Sequence, residues 1–305
     1  MKFALSAFLF FFTLAVFAQD EDDDLLSLID EEEETVNFTA ASFKTNRIVN
    51  SHSLENTANG VLDFKISHRF GFVNTGLYEM FGLDNAQVRI GLDYGVNDHI
   101  QIGIGRSGFQ KMYDGYLKAK LLRQSTGARN MPVTLTYLGA ASFNSLRENI
   151  IAPDLEGFEL YHRISYVHQF IVGRKFNDRL TLQLMPTLLH RNLTAAPEFE
   201  NTVFAVGSGG RFKVTKRIAV TGEYYYVLPD QINTDLYTNS AAIGVDIETG
   251  GHVFQLHVTN STAMFENGFI TQTVGNPFDG DLHFGFNISR VFTIKKPKEF
   301  TEDDW

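Results

Sequence analysis

The sequence predicts an all-β protein, an antiparallel up-and-down transmembrane β-barrel of about twelve strands, with ten and fourteen as the bounds. Three observations predict it. The chain opens with an export segment, its body alternates apolar and polar residues with a period of two, and its connections alternate between long and short.

The export segment comes first. Lys2 supplies a positive charge, Ala4 to Ala18 is apolar apart from Ser6 and Thr13, and Val16 and Ala18 suit a small-residue cleavage site. Residues 1–18 are therefore expected to be a signal peptide, too short for a bilayer span and followed by acids instead of a stop-transfer pattern. No cysteine occurs in the 305 residues, which excludes disulfides, thiolate metal sites, cysteine nucleophiles and a lipid-modified amino terminus. Residues 19–58 form an acidic leader and lead-in, and Asp20 to Glu34 supply nearly all of the net charge of −10. The remainder has no basic field, so nucleic acid is not an expected partner. The leader has no EF-hand spacing and is expected to be a solvated tail, with partner or Ca²⁺ binding as alternatives. No later stretch is apolar for 20 residues, so a membrane-spanning body must be a closed barrel, which leaves no backbone group unpaired in lipid.

The barrel is expected over residues 59–294. Ile90, Leu92 and Tyr94 oppose Arg89, Gly91 and Asp93; Ile102 and Ile104 oppose Gln101 and Gly103; Leu182 and Leu184 oppose Thr181 and Gln183. Phe254, Leu256 and Val258 oppose Gln255 and His257, and Phe284, Phe286 and Ile288 oppose His283, Gly285 and Asn287. Such alternation shows that one face of each strand is dry, which also fits a sandwich. The strands are expected near 61–70, 86–96, 99–106, 112–122, 132–141, 160–171, 179–189, 201–212, 217–227, 240–248, 251–260 and 281–291. Long gaps follow the odd-numbered strands and short ones, such as Asn97-Asp98 and Thr249-Gly250, the even-numbered; 107–111 and 123–131 break the rhythm. That asymmetry is the one expected of long extracellular loops and short periplasmic turns. Phe70, Phe72, Tyr224 to Tyr226 and Phe292 stand near strand ends, where aromatics suit the membrane interface. Residues 295–305 form a charged tail.

Several motifs invite a chemistry. Gly103-Ile104-Gly105-Arg106-Ser107-Gly108 has dinucleotide-fingerprint spacing, but the stretch after it, Tyr113 to Leu121, reads as a strand where a helix is required. The nine histidines show no metal-ligand spacing, and neither metal nor cofactor is expected. His99, Gln255, His257 and His283 share the polar parity of their strands and form the candidate lumenal polar cluster. There is no G-x-S-x-G, so no catalytic residue is assigned and no enzyme is expected; a barrel-embedded lipid hydrolase is a minor alternative.

Longer segments carry a resemblance. Ala41 to Ser53 (ASFKTNRIVNSHS), Ile66 to Gly71, Ile90 to Gly95, Gly103 to Ser107 with Asp114 to Lys118, Lys120 to Gln124, and Thr249 to Asn260 together resemble a family of uncharacterised β-barrel proteins of Bacteroidota, a domain of unknown function. The resemblance spans roughly residues 38–292. It implies outer-membrane placement, assigns no activity, and draws attention to Lys44, Arg47, His52, His252, Gln255 and His257.

The expected location is thus the outer membrane, with both termini periplasmic, among lipids and assembled by the barrel-assembly machinery. The leading functional expectation is a narrow channel for a small solute. Its alternative is a closed structural barrel that binds a partner through loops 142–159 and 261–280. Inward Tyr116, Lys118 and Lys120 favour closure, whereas glycines 91, 95, 103, 105 and 244 favour open space. Oligomeric state is left open.

Overall fold

The computed structural model describes residues 35–153, 155–194, 199–250 and 252–295. The expected signal peptide, the acidic stretch to Glu34 and nearly all of the charged tail lie outside them. Two units are distinguished. In the smaller, β1 (Val36–Phe38) pairs antiparallel with β6 (Ser125–Gly127). The larger is a closed twelve-stranded barrel: β2 (Val61–Phe72), β3 (Ala86–Gly95), β4 (Ile100–Ser107), β5 (Met112–Leu122), β7 (Thr134–Asn144), β8 (Ile164–Lys175), β9 (Leu180–Arg191), β10 (Thr202–Lys213), β11 (Ile218–Val227), β12 (Ala241–Thr249), β13 (His252–Thr259) and β14 (His283–Thr293). Each strand pairs antiparallel with the next, and β14 closes on β2. The twelve expected strands are these twelve. The largest boundary difference is at β8, because Leu160–Arg163 form a 3₁₀ turn before the strand begins.

The alternation is inside out relative to a soluble protein. Apolar residues face outward, with Ile104 63 % and Leu256 59 % exposed, while Gln101, Lys118 and Arg69 face inward and are buried. A sandwich would bury the first set against itself, so this placement excludes it and leaves a lipid-facing wall. Among the described residues no helix is long and apolar enough to cross a membrane. Not every aromatic follows the expected girdle: Tyr224 and Tyr226 face outward, but Tyr225 is 1 % exposed, inside the barrel.

Three of the short connections share one device. Asn97 accepts the backbone N–H groups of His99 and Ile100 on its side-chain oxygen, both at 2.8 Å. Asn177 does the same for Arg179 and Leu180, at 2.8 and 2.9 Å, and Thr215 for Arg217 and Ile218, at 3.2 and 3.0 Å. A short side-chain acceptor satisfies the turn donors that no neighbouring strand can reach. These turns gather at one end of the barrel; at the other stand the long connections 73–85, 145–163, 228–240 and 260–282.

Candidate functional site

The lumen is filled, from both ends. From the turn end, residues 39–58 run inward and reverse at a tight hairpin. Ile48 donates to the Ser51 carbonyl at 2.8 Å and Ser53 to the Asn46 carbonyl at 2.9 Å, leaving Val49 and Asn50 at the tip. From the loop end, the connection after β13 folds in and places the short helix Glu266–Thr271 entirely out of solvent. Loop 261–280, expected outside as a partner-binding loop, is therefore largely an internal element.

Wall side chains replace the sheet as partners for the hairpin backbone. Glu223 on β11 accepts the N–H groups of Val49 (3.2 Å), Asn50 (2.8 Å) and Ser51 (3.0 Å), together with the Ser51 hydroxyl (2.5 Å). Three successive N–H groups converging on one carboxylate form an anion nest, which offsets the cost of burying that charge. Gln183 on β9 accepts from Leu54 at 3.1 Å and donates to the His52 carbonyl at 2.8 Å, while Gln101 accepts from Thr57 at 2.8 Å. Gln255 donates to the Ile48 carbonyl (2.5 Å) and Asn287 to the Val49 carbonyl (3.1 Å). Buried backbone groups must find partners, and here amides supply them.

The lumen wall has two characters. Toward β8–β11 it is apolar: Ile48, Val49 and Leu54 of the hairpin pack in one cluster with Val167, Ile171, Met185, Leu189, Val203, Tyr225, Phe269 and Ile270. Toward β2–β5 it is charged. Arg89 holds Asp114 through two hydrogen bonds, Lys65 lies 3.7 and 3.6 Å from Asp63 and Asp93, and Lys118 donates to the Glu55 carbonyl.

The two inserts meet at Glu266. Arg47 Nη1 donates to Glu266 Oε1 at 3.0 Å and to the Asn50 carbonyl at 2.6 Å, and His52 Nε2 lies 3.3 Å from the same Glu266 oxygen. Neither His52 nor Glu266 is on a membrane-spanning strand. Burial, reinforced by the Arg47 charge, pushes the His52 ring down to about 3. Burial alone would raise the Glu266 carboxyl, but Arg47 and the His52 ring hold it below the usual carboxylate range. At neutral pH the contact is thus an Arg–Glu ion pair beside a neutral imidazole. Arg69 joins the inserts, donating to Asn50 Oδ1 at 2.8 Å and to the Ser261 carbonyl at 3.0 Å.

The expected polar cluster is only partly brought together. Gln255 and His257 are buried and inward, and Gln255 also donates to Asp246 at 2.6 Å. His283 is buried at the loop end, where it accompanies Thr262 (3.0 Å) and the Phe70 carbonyl (2.8 Å). His99 is not lumenal: β4 begins at Ile100, so His99 lies in the turn, exposed, where strand parity no longer governs direction. The glycines expected to leave open space instead admit neighbours. Gly105 lies under the Arg89 guanidinium, Gly103 under the Tyr116 ring, Gly95 against the Thr57 and Ala58 carbonyls, and Gly244 beside Thr221. Sequence reasoning drew attention to Arg47 and His52 but missed Glu223 and Glu266. The inward parity of Glu223 between Thr221 and Tyr225 was the available signal for the first.

The profile of the membrane bound beta barrel domain family DUF5777 matches residues 43–292. The chain belongs to this family. The matched range begins inside the hairpin insert, so the insert is part of the family domain and not an appendage to it. Comparison with curated proteins finds no match. Among solved structures, the NanC porin is 9 % identical, with a TM-score of 0.46 over 76 % of this chain and 98 % of its own. The KdgM porin in complex with disordered oligogalacturonate is 8 % identical, TM-score 0.46, over 76 % and 99 %. Outer membrane phospholipase A from Escherichia coli is 9 % identical, TM-score 0.40, over 75 % and 91 %. The fold stands on this chain's own strand pairing and on the inverted placement of its residues.

Proposed function

We propose that this chain is an outer-membrane channel for a small solute, held shut by the hairpin insert 39–58 and the inward loop 260–275. The observation that supports this reading is the charged wall beneath the plug. A barrel meant only to be solid would be at least as stable with apolar filler, since well-packed apolar residues often equal or outdo buried ion pairs. Here Asp63, Lys65, Arg69, Arg89, Asp93, Asp114 and Lys118 line one side, buried now but suited to water once the plug leaves. On this reading the turn end faces the periplasm, both strands that bound the barrel, β2 and β14, emerge there, and the barrel-assembly machinery inserts the chain.

The test is conductance in planar bilayers. The full mature chain should be mostly silent, and a variant with residues 45–53 replaced by a Gly-Ser linker, which leaves the inward loop alone across the lumen, should open far more often. Heat-modifiable electrophoretic mobility reports folding of both. A correctly folded linker variant that stays silent would overturn the channel reading in favour of a closed structural barrel.

A further inference from the structure

We infer that Glu266 is a built-in stand-in for a carboxylate-bearing solute, and that the hairpin residues Arg47 and His52, with Asn50 and Arg69, form the site that such a solute enters. The inference rests on the channel reading and names the class of ligand that releases the outer stopper.

Donors outnumber acceptors at the junction. Arg47 uses only Nη1 on Glu266; its Nε and Nη2 are buried with no hydrogen-bond partner within the protein. The Asn50 amide nitrogen and Arg69 Nε are in the same condition, while His52, neutral and turned to Glu266 through Nε2, keeps a bare Nδ1 without a partner. All four side chains are at least nine-tenths buried, with 0–5 % exposure. The contrast within the lumen is direct. Arg89 engages Asp114 through Nε and Nη2 together, the forked geometry that guanidinium and carboxylate favour. Arg47 meets Glu266 through a single nitrogen, because the acid is carried by a helix anchored elsewhere. That anchoring is visible in Asn260, which donates to the Gly275 and Asn239 carbonyls at 2.8 and 2.9 Å.

A free carboxylate is not so constrained. It can present both oxygens to the Nε–Nη2 edge of Arg47, with Asn50 and Arg69 supplying further donors. Binding there is incompatible with Glu266 in its present place, since two carboxylates against one arginine repel. Entry of the solute therefore expels the acid, and with it the helix Glu266–Thr271. A neutral solute of the same shape has no such leverage, because a ligand shifts an equilibrium only by its difference in affinity for the two states.

The absence of native cysteine makes a clean reporter possible. Ala263, buried in the inward loop, is changed to cysteine in the full chain, and its rate of maleimide labelling is followed in detergent. Sodium gluconate and sodium acetate are compared with sodium chloride at equal ionic strength and with acetamide. The carboxylates should raise labelling several-fold, chloride and acetamide should not, and Arg47→Gln should abolish the response. Glu266→Gln should label fast without any carboxylate, which shows that a released loop is detectable. Fast labelling of Glu266→Gln together with no carboxylate effect on the parent would overturn the inference while leaving the bilayer result for the linker variant untouched. Equal responses to chloride and carboxylate would overturn the assignment of ligand class. Folding of each variant is checked by heat-modifiable mobility.

Discussion

A carboxylate taken out of water must be met by donors, and Glu223 is met by four from one hairpin tip. Hydrogen bonds to a charged group are each worth about 1.5–3 kcal/mol, with strong overlap when several share one acceptor. Glu223→Ala should therefore loosen the tip by roughly 2–3 kcal/mol. The check is protease cleavage within 45–53, expected to rise while the folded barrel persists; unchanged resistance would contradict the role. The junction below it should respond to pH. His52, faced by Arg47, Glu266, Tyr116 and Lys118, is held at about 3 against an ordinary 6.5, so only the released hairpin takes up a proton between those values. Docking must weaken as pH falls through that window, by at most about 1.4 kcal/mol per pH unit. Glu266, held below its ordinary 4.5, adds in the same direction. Channel opening in bilayers should be more frequent at pH 5 than at pH 7.5, and the reverse order would exclude this account. At this scale the inward direction of Gln255, His257 and His283 was legible from parity, and that of His99 was misread because parity ends where the strand does. The partners of Arg47 and Glu223 were not legible, since 219 and 172 residues separate each donor from its acceptor.

Strands and turns were the most legible elements. Period-two alternation marks a strand whichever face is wet, and all twelve barrel strands carry it. The turns repeat a pattern that composition alone hides: Val96-Asn97, Phe176-Asn177 and Val214-Thr215 each precede two polar residues and an aliphatic one. In each, the first residue donates to the last carbonyl at 2.9 Å while the second caps the loop with its side chain. Removing one cap exposes two donors that water can serve, so Asn97→Ala and Asn177→Ala should each cost only about 1 kcal/mol. Their effects should add in the double variant, since the two turns are far apart and share no partner. Guanidinium unfolding of the barrel in liposomes measures both; marked non-additivity would mean the turns are coupled. The inserts, by contrast, have no repeating pattern, because irregular backbone held by scattered amides leaves no period to read.

At the scale of the whole molecule, the decisive property is that the apolar face points outward. Alternation could not say which face is wet; closure of the sheet decides it. A charge on the outer wall should then be far more harmful than its surface exposure suggests. Leu256→Arg, outward and mid-strand on β13, should cost about 2–4 kcal/mol of folding stability in a bilayer, compared with a small effect for Leu256→Val. A Leu256→Arg barrel as stable as the parent in liposomes would be incompatible with a lipid-facing wall there. What the sequence could not convey was how full the lumen is. Fill depends on which segments closure brings together, and the small inward glycines that suggest space are the ones that admit Arg89, Tyr116 and the returning hairpin.

Two stoppers entering from opposite mouths amount to an airlock. Each door can swing without the corridor being clear, because the other still stands across it. If each were absent about 1 % of the time, a typical minor-state population, independent doors would leave the corridor clear for only about 0.01 %. Such a device tolerates loosely hung doors on either side without leakage across the membrane. It also makes the handshake between Arg47 and Glu266 a place where news of an arrival at one door can reach the other.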